Sequence, residues 1–151
     1  MRLLITLLTC LLTAGTLQAA TCEQVVRELN RSLPDTINEK ELTEVLQYLN
    51  KSRNTALPPS FVTKREAQAA GWRPGKDIWS IPSLQGKSIG GDRFGNREGR
   101  LPSAARRSWK EADLGYRGGK RGAKRLVFSN DGLRMVTVDH YATFKEVPAC
   151  R

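Results

Sequence analysis

The stretch Arg125–Val138, RLVFSNDGLRMVTV, decides the fold class of this chain. Two runs rich in apolar and β-branched residues, Arg125–Ser129 and Leu133–Val138, lie on either side of the tripeptide NDG at 130–132. Side chains of this kind favour strands, and a short Asn/Asp/Gly connection between two such runs is typical of a β-hairpin. The stretch therefore predicts two antiparallel strands joined by a tight turn.

The residues on both sides of this hairpin predict helices first and a sheet afterwards. Strand-like runs occur at Arg107–Ala112 and Ala142–Val147. Thr21–Leu33 and Asn38–Ser52 instead have apolar residues at helical spacing, which predicts two helices. Helices that precede an antiparallel sheet define an α+β fold, in which we expect the N-terminal helices to pack on the C-terminal sheet.

Three shorter segments lie between the helices and the hairpin. The sequence TKRE at 63–66 is a capping box that predicts a short third helix, and Gly71 predicts its end. Trp72–Gly91 is rich in Gly, Pro and Ser, so we predict a long ordered loop there. The basic segment 117–125, RGGKRGAKR, has strands on both sides and is predicted to form a loop held against the sheet.

The N-terminal segment has the features of a secretory signal peptide. Residues 1–20, MRLLITLLTCLLTAGTLQAA, combine one arginine, an apolar run and small residues at a cleavage point. The alternative, a transmembrane anchor, needs a longer apolar span. The remaining chain divides into an N-terminal helical region, 21–52, and a second region, 53–151, which we expect to share one domain.

Two cysteines remain after the signal peptide, Cys22 and Cys150, close to opposite ends of the mature chain. An exported protein enters an oxidising compartment, so the pair favours one disulfide that ties the two ends together. Two free thiols are the alternative. The localisation that follows is secreted or extracellular after removal of the signal peptide, and the periplasm is the alternative.

The chain is strongly basic, with a formal net charge of +10, and therefore suits an anionic partner. Nucleic acid, anionic lipid and an acidic protein all satisfy that condition. One histidine and no close cysteine pair argue against a usual zinc site. The sequence also has neither a P-loop nor a dinucleotide fingerprint. We therefore expect ordinary side chains to carry the chemistry, without a metal or cofactor.

Residues suited to metal-independent RNA cleavage occur on neighbouring segments of the predicted sheet. Such cleavage needs a base for the 2′-hydroxyl, an acid for the leaving oxygen, and cations for the charge that grows on the phosphate. Glu111 lies in the middle of a predicted strand, Arg121 and Arg125 belong to the basic loop, and His140 is the single imidazole. Each residue taken alone is also typical of a solvated surface.

Four motifs give the chain a specific family resemblance over about residues 57–147. They are TKREAQAAGW at 63–72, GKSIGGDRFGNREGRLP at 86–102, WKEAD at 109–113 and DHYATF at 139–144. With this order and spacing, the chain resembles the barnase-like, guanyl-specific ribonucleases that bacteria export. The resemblance implies the microbial ribonuclease fold and an endonuclease that forms a 2′,3′-cyclic phosphate and then hydrolyses it. It implies that 53–151 is the catalytic region.

The resemblance also implies a role for each matched residue. Glu111 matches the general base of the family and His140 the general acid. Arg121 and Arg125 match the phosphate-binding arginines, and Lys64 a lysine that stabilises the transition state. Asp92 and Asp113 match carboxylates that orient these cations. The residues matched to substrate binding are Phe94, Gly95, Asn96, Arg97, Glu98 and Tyr141.

Base recognition is implied by the same alignment. Backbone amides of 94–97 would donate to the guanine carbonyl oxygen, and Glu98 would accept from the ring N–H and amino group. A carboxylate suits the donor edge of guanine and not the acceptor that adenine presents at the same place. Without the resemblance, Glu98 would be an ordinary turn carboxylate in a glycine-rich loop.

Two other classes of protein are compatible with the charge. A non-enzymatic nucleic-acid-binding module explains the basicity but not the placement of Glu111 and His140. A cationic membrane-active protein usually has a basic amphipathic helix, whereas the basic residues here lie mostly in loops and strands. The predicted partners are therefore RNA as substrate and, by resemblance, an acidic, barstar-like inhibitor protein in the cytoplasm. We expect a monomer that does not bind membranes.

Overall fold

The N-terminal helices begin and end within one residue of their predicted bounds. The computed structural model describes residues 18–151, and the predicted signal peptide lies mostly outside them, in 1–17. Helix α1 spans Cys22–Ser32 and α2 spans Glu39–Ser52. Thr21 closes a capping box with Gln24, so the first orphan amides of α1 have side-chain partners.

The short third helix, α3, spans Lys64–Ala69 and has the predicted ends. Thr63 accepts from the amide of Glu66, whose carboxylate in turn accepts from the amide of Thr63 at 2.7 Å. Gly71 follows the helix with a φ of 105°, a left-handed conformation that glycine adopts without steric cost. The cap fixes the direction in which α3 approaches the sheet.

Six strands form one sheet whose spatial order equals their order in the sequence. The strands are β1 Phe61–Val62, β2 Ser88–Phe94, β3 Trp109–Asp113, β4 Arg125–Ser129, β5 Arg134–Thr137 and β6 Lys145–Glu146. Strands β2 to β6 pair antiparallel, and the two-residue β1 pairs parallel with β2. The α+β prediction is thus confirmed, with one parallel pair added.

The prediction of a loop throughout 72–91 was wrong. Two short 3-10 turns, Ile78–Ser80 and Pro82–Leu84, interrupt the segment, and β2 already begins at Ser88. The strand was hidden by Gly90 and Gly91, since glycine is depleted in strands. A Cβ at Gly90 would lie 2.6 Å from Cδ1 of the Phe61 ring, so only glycine allows this close packing. Gly91 has a φ of 97° at a register shift in the ladder.

The two faces of the sheet have different partners. On one face, Leu126, Phe128 and Val136 join the apolar residues of α1 and α2 in the main core. The opposite face has a smaller core around Trp109 and Val127. A third cluster, around Trp72, packs under α3 and the 3-10 turns. Because the helices cover only one face, the other remains open for a site.

A disulfide between Cys22 and Cys150 joins α1 to the C-terminus. Asn50, at the end of α2, donates to the carbonyl oxygen of Cys150 at 2.9 Å. The same Asn50 accepts from the buried guanidinium of Arg134 on β5, which also donates to Asn54. The disulfide is therefore connected to the central hairpin by hydrogen bonds. The predicted pairing of these cysteines is present in the structure.

Candidate active site

Strands β3 and β4 place three charged residues on the face that the helices leave open. Asp113 lies directly opposite Arg125, and Glu111 lies between Val127 and Asp92 on its two neighbouring strands. Residues paired directly across a ladder project from the same face. Glu111 and Asp113 thus share the face of Val127, away from the helices. Because side chains along β3 alternate between the two faces of the sheet, residues 111 and 113 lie on the same face.

A cleft of about 800 Å³ lies on this face and contains most of the predicted site. Eleven of the thirteen predicted site residues line it, and Asp92 and Asp113 lie behind it, each bonded to a residue that does. Three lining residues were not predicted: Arg93, Arg100 and Phe144. The predicted ones are Lys64, Phe94, Gly95, Asn96, Arg97, Glu98, Glu111, Arg121, Arg125, His140 and Tyr141.

Glu111 is held from two sides. The ammonium group of Lys64 lies 3.2 Å from its Oε1, and the hydroxyl of Tyr141 donates to its Oε2. The Glu111 side chain is only 9% exposed, so a lysine and a phenol replace most of its hydration. Burial and the bond to Glu111 raise the pKa of Tyr141 to about 12, and the phenol therefore stays protonated as a donor.

Asp113 fixes both arginines of the cleft. Arg121 donates to the two Asp113 oxygens at 2.6 and 2.7 Å, a bidentate pair. The Nε of Arg125 lies 2.9 Å from Oδ1 of the same carboxylate. The bond to Asp113 raises the pKa of Arg121 above its ordinary value. One buried anion with two cations leaves an excess positive charge, which faces the cleft.

Lys64 owes its place to the start of α3. Its backbone amide donates to Oδ2 of Asp92 on β2 at 2.9 Å, while its side chain reaches Glu111 on β3. The amide is one of the orphan donors of a helix N-terminus, so the bond also caps α3 against the sheet. Asp92 therefore orients Lys64 through the backbone and not through the ammonium group.

His140 lies in the loop between β5 and β6, in an uncommon backbone conformation. His140 and Tyr141 have φ values of 55° and 71°. Such residues persist only where surrounding contacts fix them. Asp139 supplies these contacts, since its carboxylate accepts from the Thr137 hydroxyl and from the amide and hydroxyl of Thr143. The loop presents an exposed imidazole to the cleft on a well-fixed backbone.

The Asp139 bonds give the first prediction, a dependence of stability on acid. The bonds from Thr143, and then that from Thr137, lower the pKa of Asp139 from 3.8 to about 2. A lowered pKa stabilises the fold above the unfolded value and loses this effect as pH falls through the folded value. Between about pH 4 and 2, wild type should therefore lose more stability than Asp139→Asn. Urea unfolding of both proteins across this range measures the difference, and parallel curves would contradict it.

The loop 94–101 connects β2 to the segment before β3 and is closed by Asn96. The Asn96 amide nitrogen donates to the Leu101 carbonyl at 2.9 Å, and its oxygen accepts from the Leu101 amide at 3.0 Å. Asn96 itself has a φ of 45°, which asparagine tolerates better than most residues. The carboxylate of Glu98, 72% exposed, pairs with Arg100, whose Nε is 2.7 Å from Oε2.

The unpredicted residues had weak sequence signals. Phe144 packs with Phe94 in an aromatic cluster that also includes Tyr141, stacked on Phe94 at 5.2 Å between ring centroids. The sequence shows that Phe144 belongs to the DHYATF motif, but not that its side chain packs against Phe94. Arg100 stands two residues after Glu98 within a turn, a spacing that brings opposite charges together. Arg93 had no signal beyond its position beside Asp92.

Two further observations concern a metal site and a membrane-spanning helix. Across residues 18–151, no group of three or more His, Cys, Asp or Glu side chains could hold a metal ion. Within the same residues, no helix is long and apolar enough to cross a membrane.

The fold and cleft have the features of an RNA-cleaving enzyme, and comparisons with known proteins give the class. The family model described as ribonuclease matches residues 47–148. This chain belongs to the ribonuclease family, so the predicted resemblance is confirmed at that level. It is a microbial endoribonuclease.

Ribonucleases from two bacteria are similar to this chain. One from Bacillus intermedius is 43% identical over 130 residues, which cover 86% of this chain and 78% of that protein. Another from Heyndrickxia coagulans is 52% identical over 103 residues, covering 68% of this chain and 92% of that one. A solved structure, "Crystal structure of ribonuclease Sa2 with guanosine-2'-cyclophosphate", is 27% identical with a TM-score of 0.34, covering 62% of this chain and 89% of that one.

Proposed function

We propose that this ribonuclease cleaves single-stranded RNA after guanine, without a metal, through a 2′,3′-cyclic phosphate. Glu111 takes the proton of the 2′-hydroxyl as its oxygen bonds to phosphorus. His140 gives a proton to the 5′-oxygen as its bond to phosphorus breaks. In the second step water attacks the cyclic phosphate, the two residues exchange roles, and a 3′-phosphate results. The single observation that carries the proposal is one cleft lined by this carboxylate, this imidazole and two fixed arginines.

The cations suit the charge that develops on the phosphate. Arg121 and Arg125 are fixed by Asp113 before any substrate binds, so little reorganisation is needed during the reaction. Lys64 adds a third positive charge beside the base. Arg125 is 3% exposed and bonded to the Gly122 carbonyl, which holds its guanidinium in one orientation. These residues would stabilise the transition state more than the singly charged diester.

The hydrogen bonds of Glu111 leave room for its proposed role. A carboxylate has about four lone-pair sites, and Lys64 and Tyr141 occupy one on each oxygen. Each oxygen thus keeps one site for the 2′-hydroxyl proton. Because the Tyr141 phenol stays protonated, it donates to Glu111 throughout and holds the carboxylate plane.

Guanine recognition would use the loop that Asn96 closes. Phe94, stacked near Tyr141, offers an apolar wall for a base, and the exposed carboxylate of Glu98 is an acceptor for two N–H groups. Backbone amides of 94–97 would donate to the carbonyl oxygen. Adenine presents a ring acceptor where guanine presents a donor, so its complex would leave Glu98 facing a lone pair.

Cleavage of a labelled RNA with every base step tests this function. In EDTA, wild type should cut after guanine and leave 2′,3′-cyclic phosphate ends. Glu98→Gln keeps the size of the side chain but replaces one acceptor oxygen with a donor. We expect its guanine preference over adenine to fall by about 10- to 100-fold, in line with losing one or two good base contacts. End-group mass spectrometry and mapping of the cuts measure both quantities.

A matched variant separates recognition from a general loss of negative charge. Glu66→Gln removes an exposed carboxylate that caps α3 outside the cleft lining, so it should keep the guanine preference of wild type. Salt-sensitive binding of the RNA by wild type without any cut would contradict the proposal. So would cuts that need a metal ion or end in a 5′-phosphate.

Export and domain organisation follow the same proposal. Residues 1–20 act as a signal peptide, and the helical region 21–52 and the catalytic region 53–151 form one domain through the main core. The disulfide fits an oxidising compartment outside the cytoplasm. The mature enzyme acts as a monomer. Mass spectrometry of protein from the culture medium would show the new N-terminus, and an intact residue 1 would contradict export by cleavage.

An acidic cytoplasmic inhibitor is the proposed protein partner. Six lysine and arginine residues line the cleft, so opposite charge would steer an acidic protein to this surface. If the purified enzyme is active, expression of residues 21–151 in the cytoplasm should harm a cell that lacks the inhibitor. Normal growth of such a cell would remove the need for the partner.

A further inference from the structure

Arg100 joins the loop that carries Glu98 to the loop that carries His140. Its Nε lies 2.7 Å from Oε2 of Glu98, and its Nη1 donates to the backbone carbonyl of Ala142. Ala142 stands two residues after His140. One planar guanidinium therefore contacts both the proposed base acceptor and the loop of the proposed acid.

The position of this link matters because the His140 loop depends on its contacts. His140 and Tyr141 have positive φ values, which persist only when neighbouring groups fix them. The amide of His140 donates to the carbonyl of Ala123, and that of Tyr141 to the Thr137 hydroxyl. Arg100 adds a contact to the carbonyl oxygen of Ala142. Of these three groups, Arg100 is the one that belongs to the base-binding loop 94–101.

The ion pair between Glu98 and Arg100 is exposed to solvent, and this limits its contribution to stability. The Glu98 side chain is 72% exposed and that of Arg100 is 47% exposed. An exposed ion pair contributes little to stability, so the role of this pair is not to hold the fold. A free Glu98 can change rotamer, whereas a guanine bound to it would fix the carboxylate. Fixing Glu98 fixes Arg100, and through it the carbonyl of Ala142.

We propose that Arg100 is a positioning residue that transmits guanine binding at Glu98 to the geometry of His140. The inference rests on the proposed function, since it needs Glu98 to bind the base. It implies that base preference appears in kcat and not only in KM. An adenine leaves Glu98 unengaged, so the reaction after adenine should depend much less on Arg100.

Steady-state cleavage of GpU and ApU by wild type, Arg100→Gln and Arg100→Lys tests the link. For Arg100→Gln we expect kcat on GpU to fall by about tenfold, within the range usual for coupled sites. On ApU it should change by no more than about twofold. Arg100→Lys keeps a charge beside Glu98 as a point donor and lacks the fork that reaches two acceptors. Its KM for GpU should equal that of wild type, whereas its kcat should stay as low as that of Arg100→Gln.

The control variant is Arg73→Gln, which removes the same charge from an exposed position outside the cleft lining. Its kinetics should match wild type, and thermal melting should show that all variants fold. An equal fall of kcat on both dinucleotides, no fall on GpU, or full rescue by Arg100→Lys would each overturn the inference. A wild-type enzyme without preference for GpU would instead overturn the proposed function, and that result is visible before any variant is made.

Discussion

Glu111→Gln is expected to lower kcat for RNA cleavage by about 100- to 10,000-fold, the usual contribution of a general base. Glutamine has the shape of glutamate and can still accept from Tyr141, but it cannot take the 2′-hydroxyl proton. Its neighbours should keep their places, because Lys64 is 41% exposed and finds water when the pairing charge is removed. KM should change little, since the proposed phosphate-binding residues Arg121 and Arg125 are unchanged. His140→Gln is expected to cause a loss of the same size at the leaving oxygen.

The matched control for Glu111→Gln is Glu146→Gln. Glu146 lies on the edge strand β6, exposed and outside the cleft lining, so the same substitution there should leave kcat unchanged. Single-turnover rates with a short labelled RNA measure the effect without interference from product release. A loss of less than about tenfold at Glu111 would mean that another group is the base. The double variant Glu111→Gln, His140→Gln should lose less than the product of the two single losses, because both groups act in the same cleavage step.

Removal of the disulfide should give the largest change in stability. The bond between Cys22 and Cys150 closes a loop with a sequence separation of 128 residues. In the chain-entropy model, a loop of this length contributes about 5 kcal/mol by restricting the unfolded chain. The free energy of unfolding of a small domain is about 5–15 kcal/mol, so much of the stability of this protein depends on the disulfide. The double variant Cys22→Ser, Cys150→Ser should therefore unfold at a much lower concentration of denaturant than wild type.

Reduction of wild type separates this entropic effect from local packing. Wild type in dithiothreitol keeps both sulfur atoms, including that of the fully buried Cys22, and loses only the covalent bond. The double variant also loses packing around Cys22 and should be somewhat less stable than reduced wild type. Guanidinium unfolding of the three samples gives the free energies. Reduced wild type within about 1 kcal/mol of the oxidised protein would contradict the estimate.

Local signals in the sequence were sufficient for the helices. Capping residues such as Thr21 and Thr63 determine where a helix starts through bonds to amides a few residues away. The β4–β5 hairpin was equally local, because its turn lies between two clear strands. Strand β2 was not predicted, because Gly90 is required there by a contact with a residue distant in the sequence, the ring of Phe61. The parallel pairing of β1 depends on the same contact between segments far apart in the chain.

The candidate site was predictable as a set of residues but not as a network. The matched motifs identified the residues that line the cleft, from Lys64 on α3 to Tyr141 beyond β5. They did not show that Tyr141 donates to Glu111 or that Asp92 binds a backbone amide. The bridge made by Arg100 was missed because its acceptor is a backbone carbonyl 42 residues away. Such contacts depend on the register of the folded sheet and on loop conformation.

The positive charge of the protein is concentrated in the region that forms the sheet and the cleft. The helical region 21–52 carries six carboxylates and four basic residues, whereas 53–151 carries nine carboxylates and twenty basic residues. The helices cover the face of the sheet opposite to the cleft. A polyanion would therefore approach the open face, and raised salt should reduce its association rate.

The most direct test of the account is cleavage of a DNA oligonucleotide that contains one riboguanosine, in EDTA. The 2′-hydroxyl of that residue is the single nucleophile of the proposed kind in the molecule. We expect one cut, directly after the riboguanosine, with a 2′,3′-cyclic phosphate on the upstream fragment and a free 5′-hydroxyl on the other. Cuts in the all-deoxy oligonucleotide, or an intact chimera under conditions in which RNA is degraded, would contradict the proposed roles of Glu111 and His140.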